Sequence, residues 1–385
     1  MPKPLQLFLM LVLLLCGPGA LAAAGALMPS APELGADSYV LMDARSRRVV
    51  VRNDPDKRVA PASLTKMMTA YIADREMAAG RLSMDEQVSV SVKAWQTGGS
   101  RMFIQEGTRV SVGELMRGII VQSGNDASVA LAEHIAGSEK AFAEMMTQQA
   151  SQLGMENTQF TNATGLPDPD MYTTARDLAR LAIAKILDFP ESYSLYSEKY
   201  YTYNGIRQPN RNRLLWRDKS VDGLKTGHTD AAGYCLVASA QRDGMRLVAV
   251  VMGAKSAEAR ARQAQQLLNY GFRYYATDRL YEGGEKITDA RVWKGERDRI
   301  DLGLEEDLYL TYPSGSREQL EPVVEVDSVL EAPIERGTVL GDMTLSLADE
   351  ALAERELVAL HGVDQGGIFK RIWDAIKLFF MNLFG

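Results

Sequence analysis

The stretch Ser63-Leu64-Thr65-Lys66 places a hydroxyl and an amine three residues apart, shortly after Pro61. Apolar residues continue behind it at helical spacing, in Met67, Met68, Tyr71 and Ile72. This period predicts a helix that begins near Ser63, and residues three apart on a helix share one face. We therefore expect the hydroxyl of Ser63 and the amine of Lys66 to lie side by side.

Such a pair is suited to nucleophilic catalysis. A serine hydroxyl is a weak nucleophile until a neighbouring base accepts its proton. Lys66 can be that base only if burial or a nearby cation lowers the pKa of its amine. A Ser-x-x-Lys pattern arises by chance roughly once in a chain of this length at average composition. An ordinary polar helix start is therefore the alternative interpretation.

Two further motifs favour catalysis. Ser123-Gly124-Asn125 comes next along the chain, and Lys225-Thr226-Gly227 follows it, with His228 directly behind. The same kind of triple set, with a serine nucleophile, occurs in class A β-lactamases and penicillin-binding proteins. The three motifs in this order predict an acyl-transfer site.

The surrounding pattern predicts an α+β fold, in which an antiparallel sheet is packed with helices. Residues 39–42 and 49–51 are predicted to form a hairpin, and helical spacing dominates much of the chain after residue 112. Strand-like runs at 223–226, 234–240 and 247–252 predict a meander that carries Lys225. With a final helix over 257–275, strands from both ends of a catalytic domain, residues 30–276, could form one sheet.

Residues 277–362 change to short β-prone runs at 308–312, 323–326 and 339–340, interrupted by prolines and glycines. This pattern of short runs and turn residues predicts a small all-β domain. It carries no catalytic constellation, so we favour a spacer or docking module.

The last segment, residues 366–385, has an amphipathic pattern. One side of its helical wheel carries Ile368, Phe369, Ile372, Trp373, Ile376, Phe379, Phe380 and Leu383, and the other carries mainly Lys370, Arg371, Asp374, Lys377 and Asn382. This pattern is typical of a helix on a membrane surface. A membrane lipid surface is therefore a predicted partner of residues 366–385, and packing onto the β domain is the alternative.

The N-terminal residues 1–24 have the features of a cleaved export signal. Their apolar stretch, residues 5–16, is shorter than the roughly 20 residues that a spanning helix needs, and the predicted cleavage lies between Ala22 and Ala26. Cleavage would leave Cys235 as the remaining cysteine and exclude an intramolecular disulfide. Cys235 lies in an apolar run and is predicted to be a small buried residue.

Composition narrows the possible partners. The 385 residues are 46% hydrophobic, enough for sizeable cores, and the formal net charge of -7 argues against a nucleic-acid partner. The histidines, His134, His228 and His361, show no metal-ligand spacing. We predict neither a metal nor another cofactor, and the sequence indicates no oligomeric state.

In these three motifs and their order, the chain resembles the low-molecular-mass penicillin-binding proteins that act as D-alanyl-D-alanine carboxypeptidases. The resemblance spans the chain: it includes segments 121–127, 210–216 and 221–230, the export signal, the β domain and the terminal helix. It implies a β-lactamase/transpeptidase-like fold and a periplasmic enzyme on the outer face of the inner membrane. Its expected substrate is the D-Ala-D-Ala end of the peptidoglycan stem peptide, and β-lactam antibiotics are expected to acylate it.

The resemblance also implies residue roles. Ser63 attacks the carbonyl between the last two D-alanines and forms an acyl-enzyme, with Lys66 as its base. Ser123 relays the proton to the leaving amine, and Asn125 holds the substrate amide. Lys225 lowers the pKa of Lys66 and attracts anions.

Further matching positions are expected to bind the substrate. The oxyanion would lie between the backbone N–H groups of Ser63 and His228, beside Gly227. Thr226, Arg211 and Arg260 match positions near the substrate's terminal carboxylate, which an arginine can bind through two hydrogen bonds. A structural role is the alternative for each of these three.

Other functions of the same fold remain as alternatives. A β-lactamase needs a deacylating water, commonly held by a glutamate, and no convincing Glu-x-x-x-Asn pattern precedes the Lys225 motif. Asn162, Gly165 and Leu166 instead resemble the carboxypeptidase pattern. A DD-endopeptidase is a closer alternative, and a non-catalytic envelope scaffold is a third. The intact motif residues argue against the scaffold, and labelling by a fluorescent penicillin would distinguish it.

Overall fold

The computed structural model describes residues 28–384, so the predicted export signal lies outside the described residues. The strands up to residue 254 are β1 (Ser38–Asp43), β2 (Val49–Asn53), β3 (Gln87–Ser89), β4 (Arg109–Ser111), β5 (Tyr200–Tyr203), β6 (Ile206–Pro209), β7 (Val221–Thr229), β8 (Gly233–Arg242) and β9 (Met245–Ala254). The α-helices up to residue 274 are α1 (Lys66–Ala78), α2 (Val92–Gln96), α3 (Val112–Arg117), α4 (Asn125–Ala136), α5 (Glu139–Gln152), α6 (Ala175–Asp188), α7 (Pro190–Tyr193), α8 (Leu214–Arg217) and α9 (Ala257–Tyr274).

The central sheet is antiparallel, with the strand order β2-β1-β9-β8-β7. Successive side chains of a strand point to opposite faces. Accordingly, Val40 and Met42 of β1 join the core that contains α1, α4 and α6, whereas Tyr39 and Leu41 join the core beneath α9. The predicted α+β fold is confirmed, and with it the hairpin, the meander and the final helix.

The second part of the chain is built from strands around a core of its own. These strands are β10 (Tyr275–Tyr281), β11 (Lys286–Trp293), β12 (Arg299–Gly303), β13 (Leu308–Pro313), β14 (Leu320–Val326), β15 (Leu330–Glu331), β16 (Val339–Leu347) and β17 (Glu350–Ala359). Six of them form a sheet in the order β14-β16-β17-β12-β11-β15, and β10 pairs with β13. Ile300, Leu302 and Leu357 are fully buried in this core, which confirms the predicted all-β fold of this part.

Polar contacts join the β10–β13 pair to the turn between β1 and β2. The Thr277 hydroxyl donates to Asp43 Oδ2 at 2.8 Å, and Arg48 Nη1 donates to the Thr311 carbonyl at 2.8 Å. Asp43 is fully buried there. The two parts of the chain therefore share a hydrogen-bonded junction.

The last helix, α10 (Ile368–Phe384), contacts the β domain through its polar side. Asp374 is 5% exposed and accepts the backbone N–H of Lys294 at 2.9 Å, while Lys370 Nζ lies 2.5 Å from Asp298 Oδ1. The predicted apolar side remains exposed; its members are Ile368, Phe369, Ile372, Trp373, Ile376, Phe379, Phe380 and Leu383. Within residues 28–384, no helix has the length and apolar character needed to cross a membrane.

Candidate active site

Ser63 lies in a 3-10 turn, Ala62–Thr65, and α1 begins at Lys66. The helix predicted to begin near Ser63 is thus a tight turn followed by an α-helix. Glycines let two other segments approach this turn closely. A Cβ on Gly165, whose φ is +78°, would lie 1.8 Å from the Ala62 carbonyl oxygen, and one on Gly227 would lie 3.1 Å from the Ala62 Cβ. Only glycine permits this packing at residue 165.

Lys66 is fully buried and has three polar neighbours. Its Nζ lies 3.2 Å from Ser63 Oγ, 2.7 Å from Asn125 Oδ1 and 2.6 Å from the Thr164 carbonyl oxygen. The oxygens of Asn125 and Thr164 can only accept, so they occupy two N–H groups of the amine. In neutral Lys66 the lone pair is then left for Ser63, the one neighbour of the three whose oxygen carries a proton.

Burial is the main reason why Lys66 can be a base near neutral pH. The pKa of Lys66 is lowered to about 7, by burial first and then by the Arg211 guanidinium, while the Asp126 carboxylate opposes both. The pKa of Lys225 is also held well below its usual value, by burial first and then by Lys66, Arg211 and Arg260. Burial is thus the largest cause of the low pKa of Lys66, with Arg211 next, and the expected contribution of Lys225 stays a prediction.

Ser123 follows a π-helical segment, Gly118–Gln122, and adopts a left-handed conformation with φ +66°. Its side chain lines the same cleft as Ser63, yet Ser123 is only 2% exposed. Within the described part of the chain, its buried hydroxyl has no hydrogen-bond partner. A buried hydroxyl without a hydrogen-bond partner is unfavourable unless a bound substrate supplies the partner.

The third motif lies on the edge strand β7. Lys225 is 3% exposed, and its Nζ contacts the Thr226 carbonyl oxygen at 3.3 Å. The ring of His228 packs on Tyr234 at a centroid distance of 4.0 Å. Arg260, from α9, donates from Nη1 to the Gly227 carbonyl at 2.8 Å, and burial lowers its pKa to about 10.

A cleft of about 530 Å³ brings most of the predicted residues together. Its lining includes Ser63, Ser123, Arg211, Thr226, Gly227, His228 and Arg260, whereas Lys66, Asn125 and Lys225 lie buried behind that lining. Gly99, Ser100 and Gln122 also line the cleft, together with three residues that the sequence did not assign to it: Arg101, Phe103 and Tyr234. No chemical motif marks these residues, so the sequence offered no signal for them.

The positions of the charges predict how proton transfer from Ser63 to Lys66 depends on pH. In the unmodified protein, kcat/KM should rise with pH through an apparent pKa of about 7, because only neutral Lys66 accepts the proton of Ser63. Arg211→Met removes a cation that disfavours the charged form of Lys66, so the pKa of Lys66 should rise. The acid limb of the pH profile, over which kcat/KM increases with pH, should then move to higher pH by about half a unit.

The control for this pH profile is Arg213→Met. Arg213 is exposed and pairs with Glu258 at 3.3 Å, outside the cleft lining. It should leave the acid limb in place. A limb that stays fixed or moves down in Arg211→Met would contradict the assigned electrostatics.

Comparisons with known proteins match both parts of the chain. A family described as D-alanyl-D-alanine carboxypeptidase matches residues 26–256, and one described as Penicillin-binding protein 5, C-terminal domain, matches residues 275–365. D-alanyl-D-alanine carboxypeptidase DacA of Escherichia coli (strain K12) is 42% identical over 367 residues, which cover 93% of this chain and 91% of that protein.

Solved structures agree with these matches. Penicillin binding protein 5 from Haemophilus influenzae has a TM-score of 0.86 and 41% identity, and the match covers 88% of this chain and all of that one. Penicillin-Binding Protein D2 from Listeria monocytogenes, in its ampicillin-bound form, has a TM-score of 0.58 and 30% identity over 63% of this chain and all of that one.

Proposed function

This chain belongs to the D-alanyl-D-alanine carboxypeptidase family of serine peptidases, and we propose that its cleft performs the reaction with Ser63 as nucleophile and Lys66 as base. The observation that carries the proposal is the set of contacts around Lys66. Its Nζ is 3.2 Å from Ser63 Oγ, and its other two partners can only accept hydrogen bonds.

Acylation would begin when Ser63 Oγ attacks the carbonyl carbon of the penultimate D-alanine and transfers its proton to Lys66. The backbone N–H groups of Ser63 and His228 would stabilise the oxyanion, since donors fixed before the reaction need no reorganisation as charge develops. Ser123, whose hydroxyl has no partner within residues 28–384, would pass the proton from Lys66 to the leaving nitrogen. D-Alanine then departs, and water hydrolyses the acyl-enzyme.

The substrate's terminal carboxylate would be held at the cationic end of the cleft. Arg260 and Arg211 line the cleft with Thr226, and Lys225 lies directly behind it. Asn125 would contact the substrate amide, although its side chain already joins Lys66 to the Gly98 carbonyl. The concentration of positive charge favours a carboxylate at the end of the peptide.

Penicillins are expected to acylate Ser63 because they offer a carbonyl and a carboxylate to the same groups. The ampicillin-bound form of the Listeria monocytogenes relative supports this expectation. Ser63 Oγ would attack the lactam carbonyl carbon and give its proton to Lys66; the C–N bond of the ring would break, and the ring nitrogen would receive that proton through Ser123.

The function is tested by giving the purified protein three substrates: a stem pentapeptide ending in D-Ala-D-Ala, a crosslinked stem dimer and a penicillin. D-Alanine release faster than both dimer cleavage and penicillin turnover supports the carboxypeptidase assignment. Faster dimer cleavage would favour an endopeptidase, and rapid penicillin hydrolysis without D-alanine release would favour a β-lactamase. A folded protein with none of these activities would favour a scaffold.

The enzyme is further proposed to act in the periplasm, bound to the outer face of the inner membrane. The export pattern of residues 1–24 supports the compartment. The exposed apolar side of α10 supports the membrane contact, since Phe369 is 90% exposed and Trp373 is 60% exposed. Lys377 beside Trp373 adds a cation that anionic lipid would attract.

Deleting residues 367–385 is expected to abolish binding to vesicles of anionic phospholipid, because the exposed apolar side of α10 is lost. Co-sedimentation measures the bound fraction. Phe369→Ser should weaken binding by roughly 10- to 100-fold, since burying one large side chain contributes about 1.5–3 kcal/mol. Tyr200→Ser removes an aromatic of β5 that is 44% exposed and lies outside α10, so it should leave vesicle binding unchanged. Full binding by the deletion variant would reject the membrane proposal.

A further inference from the structure

Asp126 is a fully buried carboxylate that accepts hydrogen bonds from the backbone of one rim of the cleft, residues 98–104. Its Oδ1 accepts the N–H groups of Met102 at 3.0 Å and Ala127 at 2.9 Å. Its Oδ2 accepts those of Phe103 at 2.9 Å and Ile104 at 3.3 Å. Three consecutive N–H groups of the rim thus converge on a single side chain.

The conformation of this rim depends on these bonds. Phe103 is a non-glycine residue with φ +71°, a left-handed conformation that persists only where its surroundings hold it. Phe103 is 44% exposed and lines the cleft, and the Arg101 guanidinium lies 5.8 Å from the centroid of its ring. The backbone bonds to Asp126 therefore fix the position of an apolar wall beside Ser63.

Asn125, the residue before Asp126, holds the other end of the same rim. Its backbone N–H donates to the Ser100 carbonyl at 2.7 Å, and its Nδ2 donates to the Gly98 carbonyl at 2.7 Å. Residues 98–104 are thus fastened by the first two residues of α4. The Asn125 side chain also contacts Lys66, so the rim is connected to the base.

Asp126 also acts on Lys66 through its charge. It is the anion that favours the charged form of Lys66, against burial and the cation Arg211. Lys225 adds repulsion on the same side of the cleft, while Arg260 and Arg101 are further cations of its lining. Removing Asp126 would therefore leave Lys66 among cations.

We propose that Asp126 is a positioning residue, an inference that rests on the proposed reaction. Asp126 fixes the rim, so that Phe103 is held against the substrate. Its negative charge also balances the positive charge around Ser63. Asp126 would act through the rim and through Lys66, without touching the substrate. The substrate part that Phe103 would meet is an apolar portion of the stem peptide, because an aromatic ring gains most from burying apolar area.

Asp126→Asn tests both roles, because an amide replaces one acceptor oxygen by a donor and removes the charge. We expect KM for the stem pentapeptide to rise by about tenfold as the rim loosens. The acid limb of kcat/KM should move to lower pH by about half a unit, since the neutral form of Lys66 becomes easier to reach. The pH shift is a readout that a purely structural role would not move.

Asp177→Asn is the matched control. Asp177 is 2% exposed and accepts the Asn157 N–H at 3.0 Å and the Thr158 hydroxyl at 2.9 Å, outside the cleft lining. This variant should lower the melting temperature and leave KM and the acid limb unchanged. If Asp126→Asn also lowered only the melting temperature and left KM and the acid limb unchanged, the proposal would be overturned.

Asp126→Glu changes the geometry of the hydrogen bonds to the rim but keeps the negative charge. It replaces Asp126→Asn as the test if that variant does not fold. It should raise KM while the acid limb stays in place, because the negative charge is retained. Unchanged KM in a folded Asp126→Glu enzyme would also overturn the proposal. Rates are counted per molecule labelled by fluorescent penicillin, and an inactive unmodified protein would instead reject the proposed function itself.

Discussion

Ser63→Ala is expected to abolish covalent labelling by a fluorescent penicillin and to reduce D-alanine release by at least about 10⁴-fold. Alanine keeps the small volume of the 3-10 turn but carries no nucleophile. The oxyanion donors and the cationic end of the cleft remain, so substrate should still bind. Labelling on a denaturing gel and release of D-alanine are the two measurements.

The control for this change is Ser151→Ala, in the exposed last turn of α5. It should keep full labelling and full release. Labelling that survives in Ser63→Ala would move the nucleophile elsewhere, with Ser123 as the next hydroxyl of the cleft. Equal melting temperatures for the two variants would show that lost chemistry, and not unfolding, explains the result.

Lys66→Met is expected to slow acylation by about 10³–10⁴-fold, because Lys66 Nζ is the hydrogen-bond partner of Ser63 Oγ among residues 28–384. Methionine fills a similar volume, and the change removes a buried charge from the neighbourhood of Lys225. The oxygens of Asn125 and Thr164 lose their donor, which costs about 1–3 kcal/mol each. We therefore expect a folded protein with very slow penicillin labelling.

The chain offers a matched control in a second fully buried lysine. Lys185 of α6 forms an ion pair with Asp74, and its Nζ donates to Ser192 Oγ at 2.8 Å. Lys185→Met leaves Asp74 buried without its cation, which should destabilise the fold by about 3–5 kcal/mol. Each folded molecule should nevertheless label at the normal rate. Rapid labelling in Lys66→Met would refute the assignment of the base.

Local chemistry made the centre of the site predictable from the sequence. Ser63, Lys66, Ser123 and Lys225 are residue types whose order along the chain signals acyl transfer, and the structure places them around one cleft or directly behind it. Alternation and helical spacing likewise predicted the sheet and α9. Those patterns report burial, and burial determines how strands and helices pack.

The groups that escaped prediction act through the backbone or over long distances in sequence. The Thr164 carbonyl that holds Lys66 lies 98 residues away from it, and any residue type supplies a carbonyl. The backbone of Phe103 is left-handed, and this conformation determines where the residue lies in the cleft. A phenylalanine in the sequence does not signal such a conformation. The field of Arg211 at Lys66 depends on how the segment before α8 folds back over the cleft.

The close approach of Gly165 and Gly227 to the Ser63 turn has a thermodynamic consequence. Backbone from two distant segments confines this turn on both sides, with no flexible side chain between them. The orientational entropy of the nucleophile is therefore lost when the chain folds, before any peptide arrives. Substrate binding then has to restrict only the substrate, so folding free energy is converted into a lower activation barrier.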